Sequence, residues 1–116
     1  MKLSVFLMAV DRGRVLDLTK PAVVITSTDS SPTLVSPIPV TFTFTEDVTG
    51  FVVEDITVGG GTAGGFATVD GSLYTANITP SGPGTVTVDV AADVCADVAG
   101  NLNTAAVQFS IEYIGV

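Results

Sequence analysis

The chain has 116 residues, about the length of one globular domain, so a single hydrophobic core must serve the whole molecule. Hydrophobic residues make up 47% of it and charged residues 14%, which excludes a disordered chain, and frequent Thr, Gly and Pro exclude a membrane-spanning helix. Histidine is absent, and every Lys and Arg lies within residues 1–20. This inventory excludes Ser-His-Asp, Cys-His and lysine-based catalysis as well as a zinc site, so we expect no enzyme.

The N-terminal arm, residues 1–20, begins with a segment that is apolar on both faces when drawn as a strand. Its apolar run is short for a secretory signal, Asp11 to Arg14 follow it at once, and no Ala-x-Ala cleavage pattern is present. A strand that is apolar on both faces needs cover on both, as in the interior of a sheet. We therefore expect residues 3–10 to add as a strand either to a neighbouring subunit or to their own domain.

Charge divides the chain in the same place. The arm carries four cations, Lys2, Arg12, Arg14 and Lys20, against Asp11 and Asp17, a balance of +4 − 2 = +2. Residues 21–116 contain ten carboxylates and no cation, a balance of −10. Such a body repels phosphate, so nucleic acid is excluded as a partner, whereas the arm of one copy and the body of another attract each other.

From residue 21 onward, apolar and polar residues alternate with the period of a half-buried strand. The strongest runs place inward Val40, Phe42 and Phe44; Val86, Val88 and Val90; and Val107, Phe109, Ile111 and Tyr113. Weaker strands are predicted at 22–28, 55–58, 66–69 and 72–79, the last two joined by a hairpin across Asp70-Gly71, and the glycine-rich stretch 59–65 is predicted as a connection. We expect an all-β, seven-stranded antiparallel sandwich over residues 21–116, preceded by the arm at 1–20 as an extension or extra strand.

Carboxylates and amides concentrate in the turns after the second, fourth and sixth predicted strands, which meet at one end of an up-and-down sandwich, near Asp17. Hard oxygen ligands from several loops are what Ca²⁺ requires. The candidate ligands are Glu46, Asp47, Asp93, Asp97 and Asn101, with Asp70 and Asn103 nearby. The alternative is ordinary turn chemistry, in which Gly100-Asn101 reverses the chain. Cys95, the single cysteine, is expected to be a buried structural residue, because no cation lies near it in the sequence.

Three stretches, PIPVTFTFTEDVTGFVVEDITV, YTANITPSGPGTVTVDV and ADVAGNLN, occur in an order that resembles the bacterial Ig-like repeats of large surface proteins and adhesins. The similarity covers roughly residues 21–113. It implies an Ig-like, non-enzymatic sandwich that serves as a spacer, stalk or binding module at a cell surface, often in tandem. LDLTKPAVVIT looks like the linker between such repeats.

The functional hypothesis is a self-assembling structural module, a homo-oligomer or filament, in which the arm adds as a strand to a neighbouring sheet whose edges lack protecting lysines. The assembly residues are Leu3, Val5, Phe6, Leu7, Met8, Val10, Arg12 and Arg14. Two alternatives stay open: a decoration protein of a phage capsid or tail, and a calcium- or glycan-binding module of a larger surface protein that contacts a host or cell-surface glycan or protein. All of these place the chain outside the cell, on a cell surface or on a virion, without membrane insertion.

Overall fold

The computed structural model describes the backbone of residues 8–11 and 14–115 and the side chains of residues 17–115. This part of the chain is built from strands, with one 3-10 turn and no α-helix. The strands are β1 (Met8–Asp11), β2 (Arg14–Asp17), β3 (Val23–Thr26), β4 (Ile38–Phe44), β5 (Val48–Thr49), β6 (Ile56–Gly59), β7 (Gly61–Asp70), β8 (Leu73–Pro80), β9 (Gly84–Val90), β10 (Ala96–Asp97) and β11 (Phe109–Tyr113), and the turn, Val53–Asp55, precedes β6.

Two larger antiparallel sheets form the sandwich. One has the strand order β3-β4-β8-β7 and the other the order β11-β9-β6. These orders correspond to the two sheets of a constant-type Ig domain. The all-β, antiparallel prediction therefore agrees with the structure. The predicted count of seven strands is not confirmed, because the described residues form eleven strands: seven in the two larger sheets and four in the two-stranded ribbons β1-β2 and β10-β5.

The core lies between the two larger sheets and follows from the period-two pattern. Along β4 every second residue is buried, with Val40, Phe42 and Phe44 inward and threonines outward. Val88 of β9 faces them from the other sheet and is fully buried. Phe51, from the loop before the 3-10 turn, packs edge-on against Phe44 with 5.1 Å between ring centroids. β-Branched and aromatic side chains fit this pleated, half-buried surface, which is why the sequence folds as strands.

Strand β7 is longer than predicted. It begins at Gly61, inside the glycine-rich stretch that was expected to be only a connection. A Cβ atom at Gly61 would lie 2.5 Å from the carbonyl oxygen of Thr79, so glycine is what lets β7 approach β8 here. Gly65 has a φ of +59°, and the register with β8 shifts between Gly64 and Ala67. The glycines therefore build a bulged strand rather than a loop.

The last strand is shorter than predicted, and the inward assignment of Val107 is wrong. Strand β11 begins at Phe109, and Val107 is 90% exposed. The reason lies in the segment before it. The Thr104 N–H donates to the Pro21 carbonyl at 2.9 Å, and the Ala106 N–H donates to the Val90 carbonyl at 3.0 Å. The chain thus crosses from the β3 sheet to the β9 sheet at residues 104–106, which interrupts the alternation.

The arm contains a hairpin that the sequence pattern did not predict. β1 pairs with β2 in an antiparallel register from Met8↔Asp17 to Asp11↔Arg14, and neither strand belongs to a larger sheet. Among the predicted assembly residues, Leu3, Val5, Phe6, Leu7 and Arg12 lie outside the described residues, whereas the backbones of Met8, Val10 and Arg14 lie in the hairpin. Strand addition to a neighbour stays a prediction.

Candidate functional site

The two ends of the sandwich differ in their chemistry. At one end β3 begins opposite the end of β4, with Val23 paired to Phe44, and the chain enters the sandwich there. We call it the acidic end, because its loops contain most of the carboxylates of residues 21–116. They are Glu46, Asp47, Glu54, Asp55, Asp70, Asp93 and Asp97. At the opposite, far end, β11 finishes beside the start of β9, with Tyr113 paired to Gly84.

A cluster of three carboxylates lies at the acidic end, where the arm joins the sandwich. Asp17, Glu46 and Asp97 each place one carboxylate oxygen within 4.8 Å of the others. Asp17 ends β2, Glu46 follows β4, and Asp97 ends β10, so three separate segments meet here. Asp17 and Glu46 are half-buried and Asp97 is buried. We refer to these three residues as the carboxylate cluster.

Asn101 fixes the geometry of this cluster. Its Nδ2 donates to the Asp17 carbonyl at 2.8 Å and to Oδ2 of Asp97 at 3.0 Å. Its main-chain N–H donates to Oδ1 of Asp97 at 2.8 Å. The turn between the two residues closes through Gly100, whose φ of +92° favours glycine. The predicted reversal at Gly100-Asn101 is thus confirmed, and the same turn ties the arm to the sandwich.

The electrostatics of the cluster set Glu46 apart. Burial, followed by the negative charges of Asp97 and Asp17, raises the pKa of Glu46 to about 7 from its ordinary 4.5. Burial also acts to raise the pKa of Asp97, but hydrogen bonds from the side chain and main chain of Asn101 outweigh it and lower that pKa. Glu46 therefore retains its proton to a higher pH than Asp97 does, and in the protonated form it hydrogen-bonds to the Asp97 carboxylate.

Asn103 has a structural role that the sequence did not reveal. It is fully buried, and its Oδ1 accepts the N–H groups of Val94 at 2.8 Å and Cys95 at 3.0 Å. Its Nδ2 donates to the carbonyls of Ala91 and Thr104, both at 3.0 Å. These bonds brace the loop between β9 and β11. Only the Asn-rich composition of the loop signalled such a brace, and it did not single out this residue.

Cys95 lies beside that brace, in the core. Its side chain is buried and carries a free thiol, as the sequence analysis expected. Burial, and after it the charge of Asp55, raises the pKa of the thiol to about 11. The thiol is therefore protonated at neutral pH and is a poor nucleophile, since the thiolate is the reactive form.

The predicted calcium ligands are only partly brought together. Glu46, Asp97 and Asn101 meet at the carboxylate cluster, together with Asp17. Asp47 is exposed and instead lies against Gly71, where an added Cβ would come within 2.8 Å of its Cγ. Asp93 is exposed and has a φ of 66°, which reflects turn chemistry.

The remaining carboxylate of that prediction, Asp70, caps the hairpin between β7 and β8. It accepts the Ser72 N–H at 2.8 Å and the Ser72 hydroxyl at 3.0 Å, which confirms the predicted hairpin. Hydrogen bonds from Ser72, main chain and then side chain, lower its pKa. Its contacts are local, and Asp70 is not among the three residues of the carboxylate cluster.

The arrangement places clustered carboxylates, which are hard oxygen donors, on a packed β-sandwich. The family model for the bacterial Ig-like domain matches residues 17–113, and the chain belongs to this family. The resemblance predicted over residues 21–113 is confirmed, and the match begins slightly earlier, at Asp17 in the carboxylate cluster. Domains of this family are generally non-enzymatic structural modules and are typically extracellular or on a surface.

No curated protein matches the chain at a significant level. Within residues 8–11 and 14–115, there is no helix with the length and apolar character needed to cross a membrane.

Proposed function

We propose that this chain is a structural subunit of a bacterial surface assembly, in which the arm of one copy adds as a strand to the sheet of a neighbouring copy. The observation that carries the proposal is the pairing of the arm. β1 and β2 pair with each other, and β1 has no second strand neighbour among the described residues. A strand with one open edge can extend another sheet through main-chain hydrogen bonds.

The path of the chain supports a role as a connecting module. The chain enters the sandwich at the acidic end and leaves it at the far end, beside the bridge between Thr33 and Tyr113. A neighbouring protein bound at one end of the sandwich is therefore linked, along the direction of the strands, to whatever is bound at the other end. Arms that reach forward to the next copy would build the filament or stalk, and arms exchanged between two copies would build a closed pair.

Charge supports association between copies. The arm has a balance of +2 and residues 21–116 a balance of −10, so the arm of one copy is attracted to the body of the next. This attraction falls as salt screens it, with a Debye length of about 10 Å at 0.1 M ionic strength. Association through the arm should accordingly weaken as ionic strength rises, although the apolar contacts of residues 3–10 remain.

The test compares the full chain with a chain that lacks residues 1–20, by light scattering after size exclusion and by negative-stain imaging. We expect the full chain to form dimers or larger species and the shortened chain to be monomeric. Circular dichroism of the shortened chain verifies that its sandwich is folded. A full-length variant, Arg12→Glu with Arg14→Glu, should associate more weakly than its charge-matched control, Lys2→Glu with Lys20→Glu. If the full chain is monomeric in every condition, the proposal is wrong.

A second candidate function, a calcium-stabilised joint between the arm and the sandwich, is favoured by the carboxylate cluster. Asp17, Glu46 and Asp97 supply hard oxygen ligands within 4.8 Å of one another, and Ca²⁺ is bound by six to eight oxygens of this kind. Burial and, after it, the charges of Asp97 and Asp17 hold the proton on Glu46, and the positive charge of the ion would oppose both effects. These three residues would hold the ion, with the remaining ligands supplied by water.

Thermal unfolding with added calcium and with a chelator tests this second function. A bound ion raises stability by mass action, so the midpoint should rise with calcium concentration. Asp97→Asn should abolish that rise, whereas Asp93→Asn, outside the cluster, should preserve it. Equal midpoints with calcium and with chelator would rule out a calcium joint.

A further inference from the structure

We propose that the open side of the sandwich between β3 and β11 is the surface that receives the arm of a second copy, with residues 3–10 of that arm running antiparallel to β3. The inference rests on the proposed function for the use of the arm. It adds the acceptor surface, the occupant and the direction of the strand.

Both strands that flank this side are edge strands. β3 is the outermost strand of the four-stranded sheet, and β11 is the outermost strand of the three-stranded sheet. The Thr45 N–H donates to the Ala22 carbonyl at 2.9 Å, which shows that Ala22 directs its main chain toward β4. Because main-chain groups alternate in direction along a strand, Val23 and Ile25 direct theirs to the open side. They offer the hydrogen bonds that an added strand needs.

The opening is bounded at both ends. At the acidic end the Thr104 N–H donates to the Pro21 carbonyl at 2.9 Å. At the far end the Thr33 N–H donates to the Glu112 carbonyl at 2.8 Å, and the Ile114 N–H donates to the Thr33 carbonyl at 3.0 Å. The two sheets are thus joined at both ends and separate between them. The resulting opening runs along the strands.

This opening forms a groove with a volume of about 440 Å³. It is lined by Val23, Val24 and Ile25 of β3 and by residues 107–110, none of which is charged. Val24 is 58% exposed and Val107 is 90% exposed, so apolar surface flanks the open main-chain groups. Natural edge strands are usually protected by charged residues, above all lysine, and residues 21–116 contain no lysine.

The opposite edge of the same sheet is built differently. β7 has register shifts against β8 between Gly64 and Ala67 and between Thr68 and Asp70. Bulges of this kind twist an edge strand and discourage further pairing. The β3 edge is short but regular, since its four residues pair with β4 without a shift. The regular edge is therefore the one suited to strand addition.

The arm has the chemistry to fill the groove. Residues 3–10 are apolar on both alternating faces, so a strand formed by them can bury apolar side chains against the apolar lining of the groove. The uncharged groove accepts this apolar segment, while the arm's positive balance meets the negative body around it.

Charge also selects the direction of the strand. β3 runs from the acidic end to the far end, so an antiparallel arm brings its later residues, with Arg12 and Arg14, to the acidic end. Seven carboxylates of residues 21–116 lie there, whereas Asp29 and Glu112 are the carboxylates toward the far end. A parallel arm would place both arginines at the far end. Antiparallel pairing is also slightly the more stable per residue.

The first test blocks the groove in the full chain. Val24→Lys places a charge at the acceptor edge, and Val69→Lys is the matched control, because Val69 is 59% exposed on the opposite edge of the same sheet. We expect Val24→Lys to weaken association by about tenfold, which corresponds to about 1.4 kcal/mol, and Val69→Lys to leave it unchanged. If association needs the arm but both variants associate like the parent, the groove is wrong and the proposed function stands. If the parent does not associate, both fail.

Cross-linking tests the direction. One population carries Val24→Cys, toward the acidic end of β3, and is mixed under mild oxidation with a population that carries either Val10→Cys or Leu3→Cys. The native Cys95 is buried and does not compete. An antiparallel arm predicts that Val10→Cys links to Val24→Cys in preference to Leu3→Cys, and the reverse preference overturns the assigned direction. Val69→Cys is the control that should not link. A link formed within single, monomeric chains of a Val10→Cys and Val24→Cys double variant would show that the arm binds its own sandwich.

Discussion

The two ends of the sandwich are held together in different ways. At the far end, main-chain bonds connect the sheets, as in the bridge of Thr33 with Tyr113. At the acidic end, buried polar side chains add to main-chain bonds such as the one from Thr104 to Pro21. Asn103 is fully buried and Asp97 is 4% exposed, and both bind loop main chain. The comparison teaches that strand pairing suffices where edges meet, whereas long loops need buried side chains to satisfy their main-chain groups.

The ends also differ in the repulsion between their like charges. The acidic end brings Asp17, Glu46 and Asp97 together, and residues 21–116 contain no cation that could neutralise them. The far end has Glu112, which accepts a hydrogen bond from the Thr85 hydroxyl at 3.0 Å. Like charges at short range cost free energy unless a proton, a cation or a basic partner compensates them. The better-braced end is therefore also the end where carboxylates are most crowded.

Removing the brace should give the largest effect. Asn103→Ala leaves the N–H groups of Val94 and Cys95 and the carbonyls of Ala91 and Thr104 without their partner in a buried site. We expect a loss of about 3 kcal/mol in the free energy of unfolding, measured by urea denaturation, because each unsatisfied buried group costs about 1 to 3 kcal/mol and water relieves part of this.

The matched control is Asn77→Ala. Asn77 is exposed on β8, and substitution of an exposed residue away from such a network usually changes stability by less than about 0.5 kcal/mol. Equal losses in the two variants would show that the acidic end is not braced by Asn103 and would remove the distinction between the ends.

The pH dependence of the free energy of unfolding should reveal the unfavourable crowding of carboxylates at the acidic end. The folded protein holds the Glu46 proton up to about pH 7, whereas the unfolded chain releases it near its ordinary pKa of 4.5. The retained proton on Glu46 thus stabilises the folded state fully below pH 4.5, and this stabilisation is lost as pH rises through 7. We expect unfolding midpoints to fall between pH 4.5 and pH 7.5, by an amount equivalent to about 1 kcal/mol after allowance for solvent screening.

Glu46→Gln should flatten this slope, because the amide does not titrate. Asp70 and Asp97, whose pKa values are lowered, affect stability only below about pH 3.8, and Cys95, whose pKa is raised, affects it only above pH 9. None of the three changes stability within this window. Glu112→Gln, at the far end, is the control and should retain the slope. An unchanged slope in Glu46→Gln would contradict the assignment of the proton to this residue.

Much of the fold could be predicted because local chemistry determines it. Alternation in β4 and β9 sets their buried faces, and Asp70-Gly71 sets the hairpin between β7 and β8. The inward prediction for Val107 was wrong because the chain crosses between the sheets just before it. There the N–H of Ala106 bonds to the Val90 carbonyl, and this interrupts the alternation. The prediction that the glycines before residue 66 form only a connection was wrong. Their number shows that this segment is conformationally free, but it does not show that Gly61 lies against the Thr79 carbonyl, where only a residue without a Cβ fits.

The candidate site was predictable only to the level of an end of the sandwich. Strand order placed the acidic loops together, but period-two patterns carry no information about which loop side chains converge. Asp17 meets Asp97 because Asn101 bonds to both segments, whereas Asp93 lies in a turn with a positive φ and is exposed. Such contacts depend on loop conformation. For the same reason Asn103 could be recognised as a loop amide but not as a buried brace.

The smallest effect should come from the far end. The Ser31 hydroxyl oxygen accepts the Glu112 N–H at 3.0 Å in an exposed position. Ser31→Ala should cost no more than about 0.5 kcal/mol in the free energy of unfolding, because water replaces an exposed hydrogen-bond partner. The adjacent main-chain bond from Thr33 to Glu112 remains and keeps the sheets joined. A loss as large as that of Asn103→Ala, by the same urea titration, would mean that the far end also depends on side chains and that strand pairing alone does not hold it.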